Sequence, residues 1–403
     1  MNATTASRRP ARPQRPPRVF VDDLPAEHLD ELEFLWMQAL GARGIAGATV
    51  RYLRDLRERM RANALGVEVG GKRAHELLGE ALAGKERALA AAAAHVLLCA
   101  KDAAGHALVF DAIGSAKPAA RDGIREAFLR GPSPALDGKR LALATTVPPD
   151  AAVVYAEVFA AHGAQLPKLP LREWLAHESA AVRAGACRVA AWTASEAAAL
   201  EPLAREDEDA SVRREAIEAG AWLRAPWVAG HGRACAQSRR GDRAEGVLVG
   251  CLLAGSGDAA LVKGVADDAA LGPARFSYAA AWGRPVVFEW LVAALAGKDA
   301  KDAEAAGAAF VRMAGKDLPT SRAGDAAEGE TEAILVDAAR AKALWGEKRS
   351  VWEKGRRWAG GFDAGQSLDG ANTLDLQSRH ETLLRGRHRD EWPGTRREFL
   401  LLD

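Results

Sequence analysis

The chain has 403 residues and a formal net charge of +1, with 55 Lys+Arg against 54 Asp+Glu. So even a balance sets up no overall field toward nucleic acid or an anionic membrane. Alanine, leucine, arginine, glutamate and glycine dominate, there are three tyrosines, and β-branched residues are sparse, which favours helix over sheet.

Residues 1–23 form a basic, proline-rich tail. Ser7–Arg18 holds five arginines and four prolines, lacks the apolar core of a signal peptide, and is expected to be disordered. Order is expected from Leu24. Pro25–Leu40 carries Leu29, Leu32, Phe34, Leu35, Trp36 and Leu40 at helical spacing. Ala48–Ala64 carries Val50, Tyr52, Leu53, Leu56 and Met60 on its apolar side, with Arg51, Arg54, Arg57, Arg59 and Arg61 on the other, read as a solvated helix face. From there to Leu166 the spacing predicts helices over Ala74–Leu82, Lys85–Cys99, Gly105–Ile113, Ala119–Arg130, Gly138–Ala144 and Ala151–His162. Gly84, Pro118, Gly131-Pro132 and Pro148-Pro149 separate them. The most apolar stretch, Ala88–Ala100, falls short of the roughly twenty residues that span a bilayer.

Leu166–Pro170 reads as a stiff hinge, dividing residues 24–166 from a second block over 167–316. That block opens on two similar stretches, Trp174–Trp192 and Pro202–Trp222. Val182-Arg183, Ala186 and Trp192 recur thirty residues later as Val212-Arg213, Ala216 and Trp222. A fixed offset of this size marks stacked helical hairpins. Asp209 or Ser211 is placed to cap the second helix of its unit, and Arg183 and Arg213 point back toward the acidic turn. Looser units follow at Gly246–Ala254, Ala259–Val265, Phe276–Trp282, Val286–Leu295 and Ala303–Met313. Residues 317–331 read as a linker or exposed loop. Residues 332–403 read as one more helix (Glu332–Trp345) and a Trp/Gly/Arg-rich closing segment that caps the last repeat.

Chemistry-bearing motifs are weak. No G-x-S-x-G elbow occurs, and neither Gly70-Gly71-Lys72 nor Gly255-Ser256-Gly257 has a phosphate-loop pattern. The densest ligand-type cluster, His380 and His388 with Glu381, Asp390 and Glu391, matches no metal spacing. Cys99, Cys187, Cys235 and Cys251 form no C-x-x-C pair and read as small buried thiols in a reducing compartment, so a cytoplasmic location is expected. The sequence therefore points to no catalytic residue, cofactor or metal.

Leu171–Pro226 resembles HEAT repeats, with the D-x-x-V-R-x-x-A core standing as Asp209, Val212, Arg213 and Ala216. The chain also resembles a proteobacterial HEAT-like family without assigned function, some members of which occur beside type VI secretion genes. His28–Trp36, Arg54–Met60, Ala306–Gly315 and Trp352–Gly361 carry that second resemblance. The expected fold is an all-α, HEAT-like α-solenoid of stacked antiparallel hairpins. The expected function is a non-enzymatic scaffold or adaptor for one or more proteins, in a setting linked to a secretion system. Arg183, Arg213 and Arg214 are candidate partner-binding residues, with service to the internal turn as the alternative for the first two. Trp352, Arg356, Arg357, Trp358, Arg385, Arg387 and Trp392 are further candidates, because tryptophan and arginine together are favoured at interface hot spots. The alternative is a nucleic-acid-binding helical-repeat protein or a DNA glycosylase-like enzyme, against which the interleaved acids Glu353, Asp363, Asp390 and Glu391 count.

Overall fold

The computed structural model describes residues 23–401 except 46, 101, 133–136, 240–242, 316–319 and 323–333. The basic tail and most of the expected linker thus lie outside the described residues. The first helices are α1 (Leu24–Gly41), α2 (Val50–Glu68), α3 (Gly71–Ala83), α4 (Arg87–Cys99), α5 (Ala103–Ser115), α6 (Pro118–Arg130), α7 (Gly138–Thr146) and α8 (Pro149–Ala161). Then come α9 (Leu171–Leu175), α10 (Ala180–Thr193), α11 (Leu200–Glu206), α12 (Ala210–Trp222), α13 (Trp227–Ser238) and α14 (Ala244–Leu253). The last are α15 (Ala259–Asp267), α16 (Ala274–Trp282), α17 (Val286–Leu295), α18 (Ala300–Ala314), α19 (Ala338–Trp352), α20 (Leu376–His388) and α21 (Arg396–Leu400).

The protein is all-α, with two short two-stranded sheets among the described residues. Strand β1 (Thr320–Arg322) pairs antiparallel with β2 (Ile334–Val336), and β3 (Trp358–Ala359) with β4 (Phe362–Asp363). The second pair turns through Gly360 and Gly361, both at positive φ, which a two-residue hairpin requires. The helix expected from Glu332 begins instead at Ala338. The aliphatic run Ile334–Val336 goes to the strand, and the Asp337 side chain accepts from the Arg340 N–H to open the helix.

The helices form two layers. In one, α4, α6, α8, α10, α12, α14, α16 and α18 lie side by side in chain order, and α1 packs on α4 at the start. In the other, α3, α7, α9, α11, α13, α15 and α17 each pack on the next helix of that inner row. Leu166–Pro170 does not interrupt the arrangement: α8 packs on α10 across it. The main hydrophobic core runs without a seam from Leu29 through Phe159 and Val189 to Trp222 and Leu252. A second core begins instead at Cys235 and ends at Trp358. Of the cysteines, Cys187, Cys235 and Cys251 are buried and Cys99 is exposed.

Helix α4 is where the inner row is tightest, with Ala90–Ala94 fully buried. His95 follows on the same helix, with the Trp36 ring edge-on at 5.7 Å and its Nε2 3.8 Å from Cys99 Sγ. Burial, reinforced by Arg61, pushes its imidazole down to about 4. In the folded protein His95 is thus neutral near pH 6, where the unfolded chain begins to bind a proton. Its contribution to stability is complete above pH 6.5 and is lost as pH falls from about 6.5 to about 4, to a maximum of about 3 kcal/mol. Chemical denaturation of His95→Phe at a series of pH values should show a shallower acid decline than the parent over that window.

Candidate functional site

Arg183 and Arg213 sit near the start of α10 and α12, three residues past the first helical position. Arg183 Nη1 donates to the carbonyls of His177 and Glu178 at 2.9 and 2.8 Å. Its Nε and Nη2 grip the Asp207 carboxylate at 2.7 and 2.8 Å. Arg213 repeats the arrangement on the carbonyls of Asp207 and Glu208, with Glu245 as its carboxylate. Two further arginines do the same elsewhere in the row. Arg121 donates to the carbonyls of Ile113 and Ala116 and pairs with Asp150, and Arg275 donates to those of Ala266 and Gly272 and pairs with Asp302. Each of the four closes its own hairpin turn and ties it to a carboxylate of the next unit. Arg183 and Arg213 are buried, and these guanidinium donors serve the turns, the alternative the sequence left open for them. Asp209 caps α12 through the N–H groups of Ser211 and Val212.

The closing segment folds back over the inner row. Its donors meet the last carbonyls of five helices of that row, the groups that a helix cannot satisfy by itself. Gly360 and Gly361 N–H donate to Arg312 and Met313 of α18 at 2.8 and 2.9 Å. Arg357 Nε and Nη2 donate to Ala281 of α16 at 3.2 and 3.0 Å. Arg389 donates to Leu253 of α14, Arg387 to Trp222 of α12 and Arg397 to Ala161 of α8. Helix α20 occupies the middle of this arrangement. Near its N-terminus Leu376 N–H donates to the Ala48 carbonyl ahead of α2 at 2.7 Å. One turn on, Ser378 and Glu381 receive Arg312 of α18. The first six residues of α20, Leu376–Glu381, therefore touch both ends of the helical row. Ser378, Arg379, His380, Glu381 and Thr382 are all buried there.

An ionic ladder crosses the inner row toward α20. Glu157 on α8 receives Arg125 Nη1 of α6 at 3.0 Å and Arg188 Nε of α10 at 2.9 Å. Arg188 reaches Glu215 of α12 at 3.7 Å, and Glu218 one turn on meets His380 Nε2 at 3.2 Å and Arg396 at 3.8 Å. Burial, together with Glu218 and Glu157, raises the Glu215 carboxyl above its usual range, against Arg188. Burial also acts to raise Glu218, but His380, Arg43 and Arg396 outweigh it and hold that carboxyl well below the usual range. The Arg396 guanidinium lies between the rings of Trp192 and Trp222, 5.6 and 5.4 Å from their centroids.

The other candidate residues divide by exposure. Trp352, Arg357 and Trp358, expected at a partner surface, are buried. Trp352 stacks on Phe288 at 4.2 Å within an aromatic cluster that also holds Trp345 and Phe310. Arg385, Arg387 and Trp392 are half-buried. Arg387 lies 4.8 Å over the Trp222 ring, and Trp392 meets the same ring edge-on at 6.1 Å. Arg214 and Arg356 are exposed. Sequence reasoning missed Arg121 and Arg275, although each stands near the start of an inner-row helix as Arg183 does. Arg51 and Arg54, expected on the solvated face of their helix, are exposed and border a cleft of about 630 Å³ between α2 and the closing segment. Among the described residues no three His, Cys, Asp or Glu side chains gather as a metal site, and no helix is long and apolar enough to cross a membrane. Comparison with protein-family models, curated proteins and solved structures finds no match to this chain.

Proposed function

We propose that the chain is a non-enzymatic protein-binding scaffold or adaptor of the HEAT-like kind. The observation that carries this reading is the surface of the first helix pair. On α1, Phe34 and Met37 are 45% and 53% exposed one turn apart, and at the C-terminal end of α2, Leu65 and the capping residue Val69 are 63% and 71% exposed four residues apart. Large apolar side chains repeated at helical spacing on a solvated face are the usual mark of a protein contact. The nucleic-acid alternative would need a positive stripe along the inner wall, where the arginines instead alternate with Glu157, Glu215 and Glu218. The partner surface lies outside the inner wall, which the closing segment covers. The resemblance to HEAT-like proteins found beside type VI secretion genes suggests a component of such an assembly as the partner.

The test is affinity capture from a native extract with the intact chain and with Phe34→Glu/Met37→Glu, two exposed positions whose change leaves the core untouched. A protein retained in stoichiometric amount by the parent and lost with the variant supports the reading. Capture of nothing above a control, or of the same set by both, contradicts it.

A further inference from the structure

The cleft between α2 and the closing segment has the make-up of a small-ligand site. Its volume of about 630 Å³ lies within the range of small-molecule pockets. Leu383, Leu368 and Val50 give it an apolar floor, and Trp392 forms one wall. That wall is built in place. The Trp392 ring rests on Trp222 at 6.1 Å and folds back over Gly394, where a Cβ would come within 2.2 Å of the indole.

The rim is cationic. Arg51 and Arg54, three apart and so on one side of α2, are both exposed and have no hydrogen-bond or ion-pair partner among the described residues. The third arginine, Arg379, is already committed. It donates to Asn372 Oδ1 at 2.9 Å and to the carbonyls of Phe399 and Glu398 at 2.8 and 2.7 Å. The one carboxylate on the rim among the described residues, Glu398, accepts from the Thr395 N–H at 2.6 Å in a capping box. Two uncommitted guanidinium groups thus stand over an apolar floor with an aromatic wall.

We infer that this cleft binds a small ligand with an oxyanion head, carboxylate or phosphate, on a flat apolar body. Guanidinium groups match the geometry of either head, and the indole offers a face for the body. Bound there, the ligand bridges α2 and the closing segment.

Ligand-observed NMR titration of the full chain with phenylacetate, phenyl phosphate and the neutral phenylacetamide tests this. At least one anion is expected to bind saturably with a Kd of roughly 1–10 mM, as fits a fragment of this size, and the amide about tenfold more weakly or worse. Which anion binds identifies the head. Arg51→Ala/Arg54→Ala should weaken that binding about tenfold or more with an unchanged thermal midpoint, since both side chains are solvent-exposed. The inference is overturned if neither anion saturates up to roughly 50 mM, if the amide binds as well as the acids, or if the double variant binds as the parent does.

Discussion

Glu157→Ala is expected to destabilise the protein by about 3–5 kcal/mol, among the largest effects of any single substitution in the chain. Glu157 is 2% exposed and receives Arg125 at 3.0 Å on one oxygen and Arg188 at 2.9 Å on the other. Arg125 keeps Asp122 and Glu126 as neighbours, but Arg188 is left with Glu215 at 3.7 Å. The cost comes from abandoning buried positive charge and not from the net worth of the pairs, which desolvation largely offsets. Glu157→Gln keeps the shape and one acceptor oxygen, so its loss should be smaller. Urea denaturation of the two variants beside the parent measures both, and equal stability of Glu157→Ala and the parent would remove the ladder from the account.

Removal of residues 367–403 is expected to abolish the cooperative fold. Leu376, Leu383, Leu384 and Phe399 are all buried, and their burial contributes roughly 6–12 kcal/mol together. That equals the whole stability of a typical domain. Glu218 would lose His380 and Arg396, Arg312 would lose Ser378 and Glu381, and the final carbonyls of α8, α12 and α14 would lose their arginine donors. The truncated chain should lack a sharp thermal transition and bind a hydrophobic dye. A segment that merely lies on a finished scaffold would instead leave the thermal midpoint within a few degrees of the parent's.

The helical row was legible because its signals are local. Pro118, Pro149 and Pro285 stand at or beside helix starts and fix φ for the first turn. The Val-Arg repeat locates α10 and α12 at a constant offset. Helix α13 escaped notice because its buried side is made of Val228, His231, Gly232, Cys235 and Ala236, too little apolar surface to give a period. The arginine staples were legible only on the side of the turn. Their carboxylate partners lie 24, 27, 29 and 32 residues away, so no fixed spacing announces them. Helix α20 was illegible for a different reason. His380 and Glu381 stood out only as ligand-type residues, and the burial of Arg379, His380, Glu381 and Thr382 depends on Arg312, Glu218, Arg357 and the Phe399 carbonyl. Two of those four, Arg312 and Glu218, lie outside the closing segment, and only the folded topology brings them together. A similar ambiguity made Trp352 and Trp358, which the structure buries, candidates for a partner surface, since arginine-rich surroundings suit a hot spot and a polar-capped core alike.

Native-state hydrogen exchange resolved by residue tests most directly whether α20 is the axis on which the helical row closes. Amides of Leu376–His388 should exchange as slowly as those of Ala210–Trp222, through opening that costs nearly the full unfolding free energy. Fast exchange over Leu376–His388, with Ala210–Trp222 still protected, would contradict the account.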